Sequence, residues 1–292
     1  MRKVGIFIAP RWSGAKKLLE RLRGALGKKV DEVWQTSSWD DPAAQERLEG
    51  TDLIVCLGGD GSMLWAARAM VPHTVPILGV NMGRLGFLAE IGPKELMDSL
   101  PRVLKGEGRV EERSMLQARV PTWGQTFQAL NDVVVGRSLA GRPVYLDVSV
   151  DGCRLALYRS DAVIVATATG STGYSLSAGG PILHPESRDM VLTPVAPHLA
   201  PARPLVLPQD AVVDLMVSTE EGASVSVDGQ VNRDLESGDA VSICRSPHVA
   251  RFLRLSEPSD HYRILAERLE WLRGINPAEF PELFEQRGDG PK

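Results

Sequence analysis

The chain has 292 residues, 43% of them hydrophobic and 24% charged, with a formal net charge of −4. That length suits two domains that together bury roughly 75% of the unfolded surface, and the composition is ordinary for a soluble globular protein. The slight acidic excess gives no electrostatic reason to expect nucleic acid or an anionic membrane as a partner.

Cys56, Cys153 and Cys244 are odd in number, widely spaced and form no CxxC pair. Cys56 and Cys244 sit in apolar or strand-like runs, which fits buried thiols in a reducing compartment. The opening MRKVGIFIAP is basic, but its apolar run is too short for the core of a signal peptide. No stretch approaches the length of a membrane span. The expectation is a cytoplasmic protein.

Taken in chain order, Val4 to Ala9 is a short apolar strand closed by Pro10. Ala15, Leu18, Leu19, Leu22 and Leu26 then recur at helical spacing with Lys and Arg on the other face. A strand-like VDEVW follows, and then Leu53 to Leu57, a continuous apolar run of the kind buried on both faces of a sheet. This run ends in Gly58-Gly59-Asp60-Gly61, after which Ser62 opens an alanine-rich, helix-prone segment. Strand, glycine turn and helix start in that order aim backbone N–H groups and the positive end of a helix at whatever lies above the turn. Asp60 is the odd feature there. A carboxylate beside phosphate is repelled unless it holds a metal ion or takes a proton from a nucleophile, a combination that points to phosphoryl transfer. Taken alone, the stretch fits a tight turn with a solvated Asp equally well.

Val75 to Val80 gives another apolar strand running into Asn81 and the glycine turn GVNMGRLG. The β-α-β-α-β rhythm predicts a parallel sheet with helices on its faces and ligands beyond the carboxyl ends of its strands. Both glycine turns fall at such ends and would line one crevice. By themselves, Gly83 and Gly86 read as plain loop residues, with Phe87 and Leu88 as packing anchors. A helix is predicted from Pro93 to Leu104, with Pro101 expected to break it.

Near Gly106 the texture changes. From Val110 to Leu255 short runs rich in Val, Leu and Thr replace helical periodicity. Tyr145 to Val150 alternates as a half-exposed antiparallel strand, with Asp151-Gly152 as a hairpin turn and Asp228-Gly229 as a second candidate. Tyr262, Leu265, Ala266, Leu269 and Leu272 then form one helical stripe, and the residues from Glu279 on read as a loose tail. The expected fold class is therefore an α/β N-terminal domain with a parallel sheet, plus an all-β, sandwich-like second domain, with a C-terminal helix packing back on the first. Residues 1–105, completed by 258–292, make the first domain, and residues 106–257 the second.

Among the residues that carry chemistry, Asn131-Asp132 stands near the start of a strand. An Asn side chain suits recognition of a base or a ribose, though the pair fits a simple turn at least as well. Ser160-Asp161 precedes AVIVATATGSTGYSLSAGG, in which Gly170, Gly173, Gly179 and Gly180 surround many small hydroxyls. Such a loop can grip phosphate or sugar without bulky charge. The five histidines show no paired spacing, so no metal site is assigned. Neither GxxxxGK[ST] nor a strand-linked GxGxxG occurs, so the chain handles a nucleotide by another route, if at all.

GGDG after an apolar strand, Asn81-Met82-Gly83-Arg84-Leu85-Gly86-Phe87-Leu88, Leu130-Asn131-Asp132 and Thr169-Gly170-Ser171-Thr172-Gly173-Tyr174 together resemble the NAD kinase family. The match runs from about Val4 to the C-terminal helix. GGDG alone is weak, because lipid kinases and phosphofructokinases carry similar turns. The resemblance implies an ATP-dependent phosphotransferase acting on the 2′-hydroxyl of the adenosine ribose of NAD, with Mg²⁺ or another divalent cation, in a homo-oligomer (dimer or tetramer). It implies Asp60 as the catalytic base, with Gly58, Gly59 and Gly61 shaping the phosphate turn. Asn131 and Asp132 would bind the adenosine part of NAD. Thr169, Thr172, Gly173, Tyr174, Ser175, Leu176 and Ser177 would line the dinucleotide site. Arg159 and Asp161 would reach its nicotinamide end, partly across a subunit contact, and Arg142 and Gln230 would contact substrate. Asp132 stands where many members have Glu, which shortens its reach, and Gly173 stands where Ala is frequent. A lipid or sphingoid-base kinase sharing the GGDG turn, and a non-catalytic dinucleotide sensor, are the alternatives.

Overall fold

Every residue from Leu53 to Gly58 is buried, as a strand must be when helices cover both faces of its sheet. The computed structural model describes residues 1–9, 16–38, 40–83, 86–138, 142–198, 202–220 and 222–269. Within these, β1 (Lys3–Ile8), β2 (Glu32–Thr36), β3 (Leu53–Gly58) and β4 (Ile77–Asn81) pair in parallel in the order β2-β1-β3-β4. Alternate residues of these strands face opposite sides. Ile6, Val55, Leu57 and Val80 pack with Leu22 and Leu26 of α1 (Lys16–Leu26) and with Leu96 and Leu100 of α4 (Pro93–Leu104). Phe7, Ile54, Cys56 and Ile77 pack on the other side, against Ala44 of α2 (Pro42–Arg47) and Met63 and Ala67 of α3 (Asp60–Ala69). This is the doubly wound arrangement that the sequence rhythm predicts.

Three local expectations change. The helix after β3 begins at Asp60 rather than Ser62, because Gly59 adopts an extended cap and its carbonyl receives the N–H groups of Ser62 and Met63. Pro101 does not break α4. The helix runs on through it to Leu104, and the Pro101 carbonyl still accepts the Lys105 N–H at 3.3 Å. The helix α2 is absent from the expectations although Asp41-Pro42 announces it: Asp41 accepts from the Ala43 N–H at 3.0 Å and Pro42 fills the first turn. Leu272 and the tail from Glu279 lie outside the described residues.

The β-rich part comprises β5 (Arg109–Arg119), β6 (Thr126–Ala129), β7 (Asp132–Arg137), β8 (Val144–Val150), β9 (Cys153–Ser160), β10 (Ala162–Ala166), β11 (Met190–Val195), β12 (Leu205–Leu207), β13 (Val212–Ser218), β14 (Ala223–Val227), β15 (Val231–Leu235) and β16 (Ala240–Arg254), with a short α5 (Tyr174–Ser177) after β10. β12, β11, β10, β7, β14 and β15 form a six-stranded sheet in that order. It packs face to face on the sheet containing β13, β8 and β9, with Val133, Val165 and Val225 meeting Leu146, Leu215 and Ile243 between them. Asp151 and Gly152 both take positive φ between β8 and β9, as the hairpin expectation requires.

The sheet does not stop between the two parts. Phe252 of β16 pairs in parallel with Ile77 of β4, and the earlier half of β16 pairs with β13, so one ten-stranded sheet runs through both. β5 runs antiparallel to β16 over most of its length. At this junction sits a buried ionic hub. The Glu111 carboxylate receives Arg113 at 2.6 Å, Arg254 at 3.0 Å and Arg109 at 3.1 Å. Arg254 also donates to the Leu88 carbonyl at 2.8 Å and pairs with Glu90, whose other oxygen accepts the Leu255 and Ser256 N–H groups. Arg113 donates onward to the Thr169 hydroxyl at 3.2 Å. α6 (Asp260–Arg268) crosses above this hub.

Burial by itself would raise the Glu111 pKa, but Arg113 and Arg254 more than offset that and hold it near 2, against an ordinary 4.5. A depressed folded pKa means that stability from Glu111 is fully present above about pH 4.5 and is lost as pH falls towards 2. Replacing the carboxylate with an amide removes the anion that the three guanidiniums share; Arg254 keeps Glu90 and Arg109 keeps Glu186, but the buried Arg113 is left without a carboxylate. Glu111→Gln is expected to lower the unfolding free energy by about 3–5 kcal/mol. Urea denaturation at pH 7 checks this, and the deficit should shrink below pH 4.

Candidate active site

The glycine turn places Asp60 at the first position of α3, at the carboxyl end of β3. Its carboxylate accepts the Phe87 N–H at 2.7 Å and the Leu88 N–H at 3.1 Å, one on each oxygen. A Cβ on Gly86 would lie 2.0–2.3 Å from that carboxylate, so only glycine lets the loop come this close. Gly58 is constrained in the same way, because its missing Cβ leaves room for the Ser62 side chain. The Met82 N–H donates to the Gly58 carbonyl at 3.0 Å, tying the two glycine turns together as the crevice expectation requires. Arg84 and Leu85 lie outside the described residues. With one N–H on each oxygen, the carboxylate is fixed in orientation and keeps lone pairs for a further donor.

A second constellation surrounds the start of β7. The Thr167 hydroxyl donates to the Leu130 carbonyl at 2.6 Å, and Gly170 packs so tightly on the Asn131 carbonyl that any Cβ would lie 2.0 Å away. These contacts join the Asn131 strand to the turn Gly170–Thr172 and, through Gly173, to Tyr174 at the head of α5. Asn131, Asp132, Val134, Tyr174, Ser226 and Asp228 line a cavity of about 300 Å³. Asp228 stands out among them. Its buried carboxylate accepts the N–H groups of Leu130, Asn131 and Asp132 at 3.0, 2.7 and 3.2 Å, and Arg68 of α3 lies 3.7 Å away. Burial pushes the Asp132 carboxyl up to about 7, and the neighbouring Asp228 charge pushes the same way. Asp228 is also raised by burial, against the pull of those N–H groups and Arg68.

The remaining expected residues fall elsewhere. Gln230 gives both ends of its amide to α3, donating to the Gly61 carbonyl and accepting from Arg68, each at 2.7 Å. Thr169 and Thr172 line a cavity of about 200 Å³ under α6 with Phe87 and Arg268. Arg142 and Arg159 line another of about 390 Å³ with Arg137 and Tyr145, where the Arg159 guanidinium sits 5.9 Å from the Tyr145 ring centroid. Asp161 joins this group through an ion pair with Arg137 at 2.9 Å. Ser175 is fully buried, its hydroxyl 2.9 Å from that of Thr193. Leu176 is half-buried, and the Ser177 N–H closes onto the Gly173 carbonyl at 3.3 Å. The structure thus brings Asp60 together with the loop before Glu90, and Asn131 and Asp132 together with Gly173 and Tyr174. Among the described residues, Arg142 and Arg159 line a cavity with Arg137, and Asp161 lines another with Arg137, each distinct from the cavities of Phe87 and of Asn131.

Sequence reasoning misses Asp228, taken only as a turn residue. It misses Arg68, which looks like one more charge on an exposed helix face. Phe87 and Leu88 count in it as packing anchors, whereas their N–H groups hold Asp60. Among the described residues no group of three or more His, Cys, Asp or Glu side chains converges as a metal cage. A divalent ion here would therefore rely on ligand phosphates and water, with Asp60 as a single carboxylate. That fits Mg²⁺, which keeps most of its waters.

Residues 2–108 match the ATP-NAD kinase N-terminal domain and residues 130–255 the ATP-NAD kinase C-terminal domain. A NAD kinase of Dehalococcoides mccartyi (strain CBDB1) is 38% identical over 273 residues, covering 92% of this chain and 96% of that protein. One from Chloroflexus aurantiacus (strain ATCC 29366 / DSM 635 / J-10-fl) is 45% identical over 221 residues, covering 75% and 80%. Among solved structures, yeast NADH kinase complexed with NADH superposes with a TM-score of 0.84 at 26% identity, covering 94% of this chain and 89% of that one. An NAD kinase from Archaeoglobus fulgidus in complex with ATP superposes with a TM-score of 0.73 at 27% identity, covering 92% and 99%.

The raised carboxyl of Asp132 has a consequence for stability. Between its ordinary 3.8 and about 7, the folded chain keeps a proton that the unfolded chain has released. Its contribution therefore falls as pH rises through that window and levels off above it. Asp132→Asn is expected to remove this slope, so the melting temperature of the variant should gain on the wild type from pH 4.5 to 7. Parallel melting curves across that range would contradict the assignment.

Proposed function

The chain belongs to the NAD kinase family, and we propose how its residues divide the work of that reaction. The enzyme transfers the γ-phosphoryl group of ATP to the 2′-hydroxyl of the adenosine ribose of NAD, giving NADP and ADP. A sugar hydroxyl is a poor nucleophile at neutral pH and needs a base within hydrogen-bond reach. Asp60 is that base. As the bond from O2′ to the γ-phosphorus forms and the bond to the leaving oxygen of ADP breaks, the hydroxyl proton passes to the Asp60 carboxylate. The observation that carries this role is the fixing of Asp60 by the Phe87 and Leu88 N–H groups at the carboxyl end of β3. A fixed, oriented base is worth more than a mobile one. Gly58, Gly59 and Gly61 shape the turn, and the donor lies between it and the Thr169–Thr172 loop.

In this reading the adenosine end of NAD occupies the cavity of Asn131, Asp132 and Tyr174, and the dinucleotide follows Thr169, Thr172, Gly173, Ser175, Leu176 and Ser177. Gln230 acts through Gly61 by bracing the turn. Arg142, Arg159 and Asp161 serve a neighbouring subunit of a homo-oligomer, in keeping with their lining cavities other than that of Asn131 and Asp132. Mg²⁺, when bound with the donor, supplies positive charge to the phosphate oxygens. The enzyme works in the cytoplasm; the described residues contain no helix long and apolar enough to cross a membrane. Residues 1–105 with 258–292 act as one domain and 106–257 as the other, a division supported by strands β5 and β16, which begin at Arg109 and end at Arg254.

Purified protein supplied with NAD, ATP and Mg²⁺ is expected to form NADP, read with an NADP-specific dehydrogenase, and to leave diacylglycerol and sphingosine untouched. Lipid turnover without NADP would overturn the reading, and dinucleotide binding without turnover would make the protein a sensor. Asp60→Asn keeps the shape of the site but cannot accept the proton. It should lower kcat by at least about 100-fold and leave NAD binding nearly intact. Failure of raised Mg²⁺ to restore activity separates a lost base from a lost metal ligand.

A further inference from the structure

One guanidinium under α6 stands apart from its neighbours. The cavity there is lined by Arg109, Arg113, Arg254, Arg263 and Arg268. The first three are engaged by Glu111, and Arg254 also by Glu90. Arg263 points along its own helix to Asp260 and Glu267, at 3.0 Å each. Arg268 has no ion-pair partner among the described residues, and its Nε and Nη1 atoms are buried without a hydrogen-bond acceptor. Its guanidinium lies over the Phe87 ring, 5.0 Å from the centroid. Burial lowers its pKa and the negative charge of Asp60 opposes that, so it is still a cation at neutral pH. Buried Arg donors are seldom left without acceptors, and one common reason is an anion that belongs there.

Phe87 fixes where that anion would be. Its ring carries Arg268, while its N–H holds the Asp60 carboxylate. The arginine therefore shares Phe87 with the group that takes the proton, and it lines a different cavity from the one of Asn131 and Asp132 assigned to adenosine. Guanidinium is the side chain best matched to phosphate oxygens. We propose that Arg268 binds the phosphates of the nucleoside triphosphate donor, and that the cavity between α6, Thr169, Thr172 and Phe87 receives part of that polyphosphate. This rests on the NAD kinase reading and adds the C-terminal helix to the donor site. The diphosphate of NAD shares the same chemistry, so the test must tell the two apart.

Arg268→Gln and Arg268→Lys would be compared with the wild type in two ways. In steady-state kinetics, the KM for ATP is expected to rise on the order of tenfold to hundredfold in Arg268→Gln, as for a lost bond to a charged group. It should rise less in Arg268→Lys, with the KM for NAD and the melting temperature close to wild type. In calorimetric titration, a β,γ-imido ATP analogue should lose affinity to a similar extent while NAD does not. An unchanged analogue affinity would overturn the proposal. So would a loss confined to NAD, which would assign Arg268 to the dinucleotide's diphosphate. Equal weakening of both ligands together with a lowered melting temperature would make it a brace for Phe87 and overturn the proposal too. Because the titration needs no turnover, a wild type that makes no NADP would count against the reaction and not against this arginine.

Discussion

The contact on which the rest of the structure depends is the pair of backbone N–H groups that Phe87 and Leu88 present to the Asp60 carboxylate. It joins the turn after β3 to the loop after β4, and it exists only because Gly86 carries no side chain. A carboxylate at the first turn of a helix is already favoured by the helix's positive end. Here it is also pinned by a loop from the next strand of the sheet, so its direction does not depend on its own rotamer alone. Carboxylates used only to start helices do not need such a loop.

From that contact, a continuous set of bonds leads across the molecule. The Leu88 carbonyl accepts from Arg254, Arg254 shares Glu111 with Arg113, and Arg113 holds the Thr169 hydroxyl. On the other flank, Arg68 and Gln230 tie α3 to the hairpin carrying Asp228, and Asp228 gathers the N–H groups of Leu130, Asn131 and Asp132. The GGDG turn, the Asn131 strand and the Thr169 loop come from separate stretches of chain. Two polar braces, one built on Glu111 and one on Asp228, keep them in register. Both braces use buried charges, which cost more than apolar packing unless every partner is present. Geometry at the junction is what they provide in return.

Much of this was legible in the sequence, and the parts that were not share a cause. The apolar run Leu53–Leu57, the glycine turns and the alternation of Tyr145–Val150 are local patterns, and each became the element it announced. Family resemblance added the Asn131 and Thr169 blocks, whose individual residues read as turns by themselves. The helix α2 is announced locally too, by the capping Asp41 and the first-turn Pro42. Glu111 and Arg254, by contrast, are 143 residues apart, and no spacing rule links them. Asp228 resembles any Asp-Gly hairpin residue until β14 is seen beside β7, where its side chain meets the Asn131 backbone. The same holds for β16, whose two halves pair with different partners and so join the sheets. Side chains that act through tertiary pairing leave no periodic mark.

The most direct test of this account is a crystal structure with NAD bound. The position of the Asp60 carboxylate relative to the adenosine ribose decides it. The account predicts an Asp60 oxygen about 2.6–3.2 Å from the ribose 2′-hydroxyl, with the Phe87 and Leu88 N–H groups still on the carboxylate. A ribose seated with its 2′-hydroxyl beyond hydrogen-bond reach of Asp60, and with no water joining them, would contradict it.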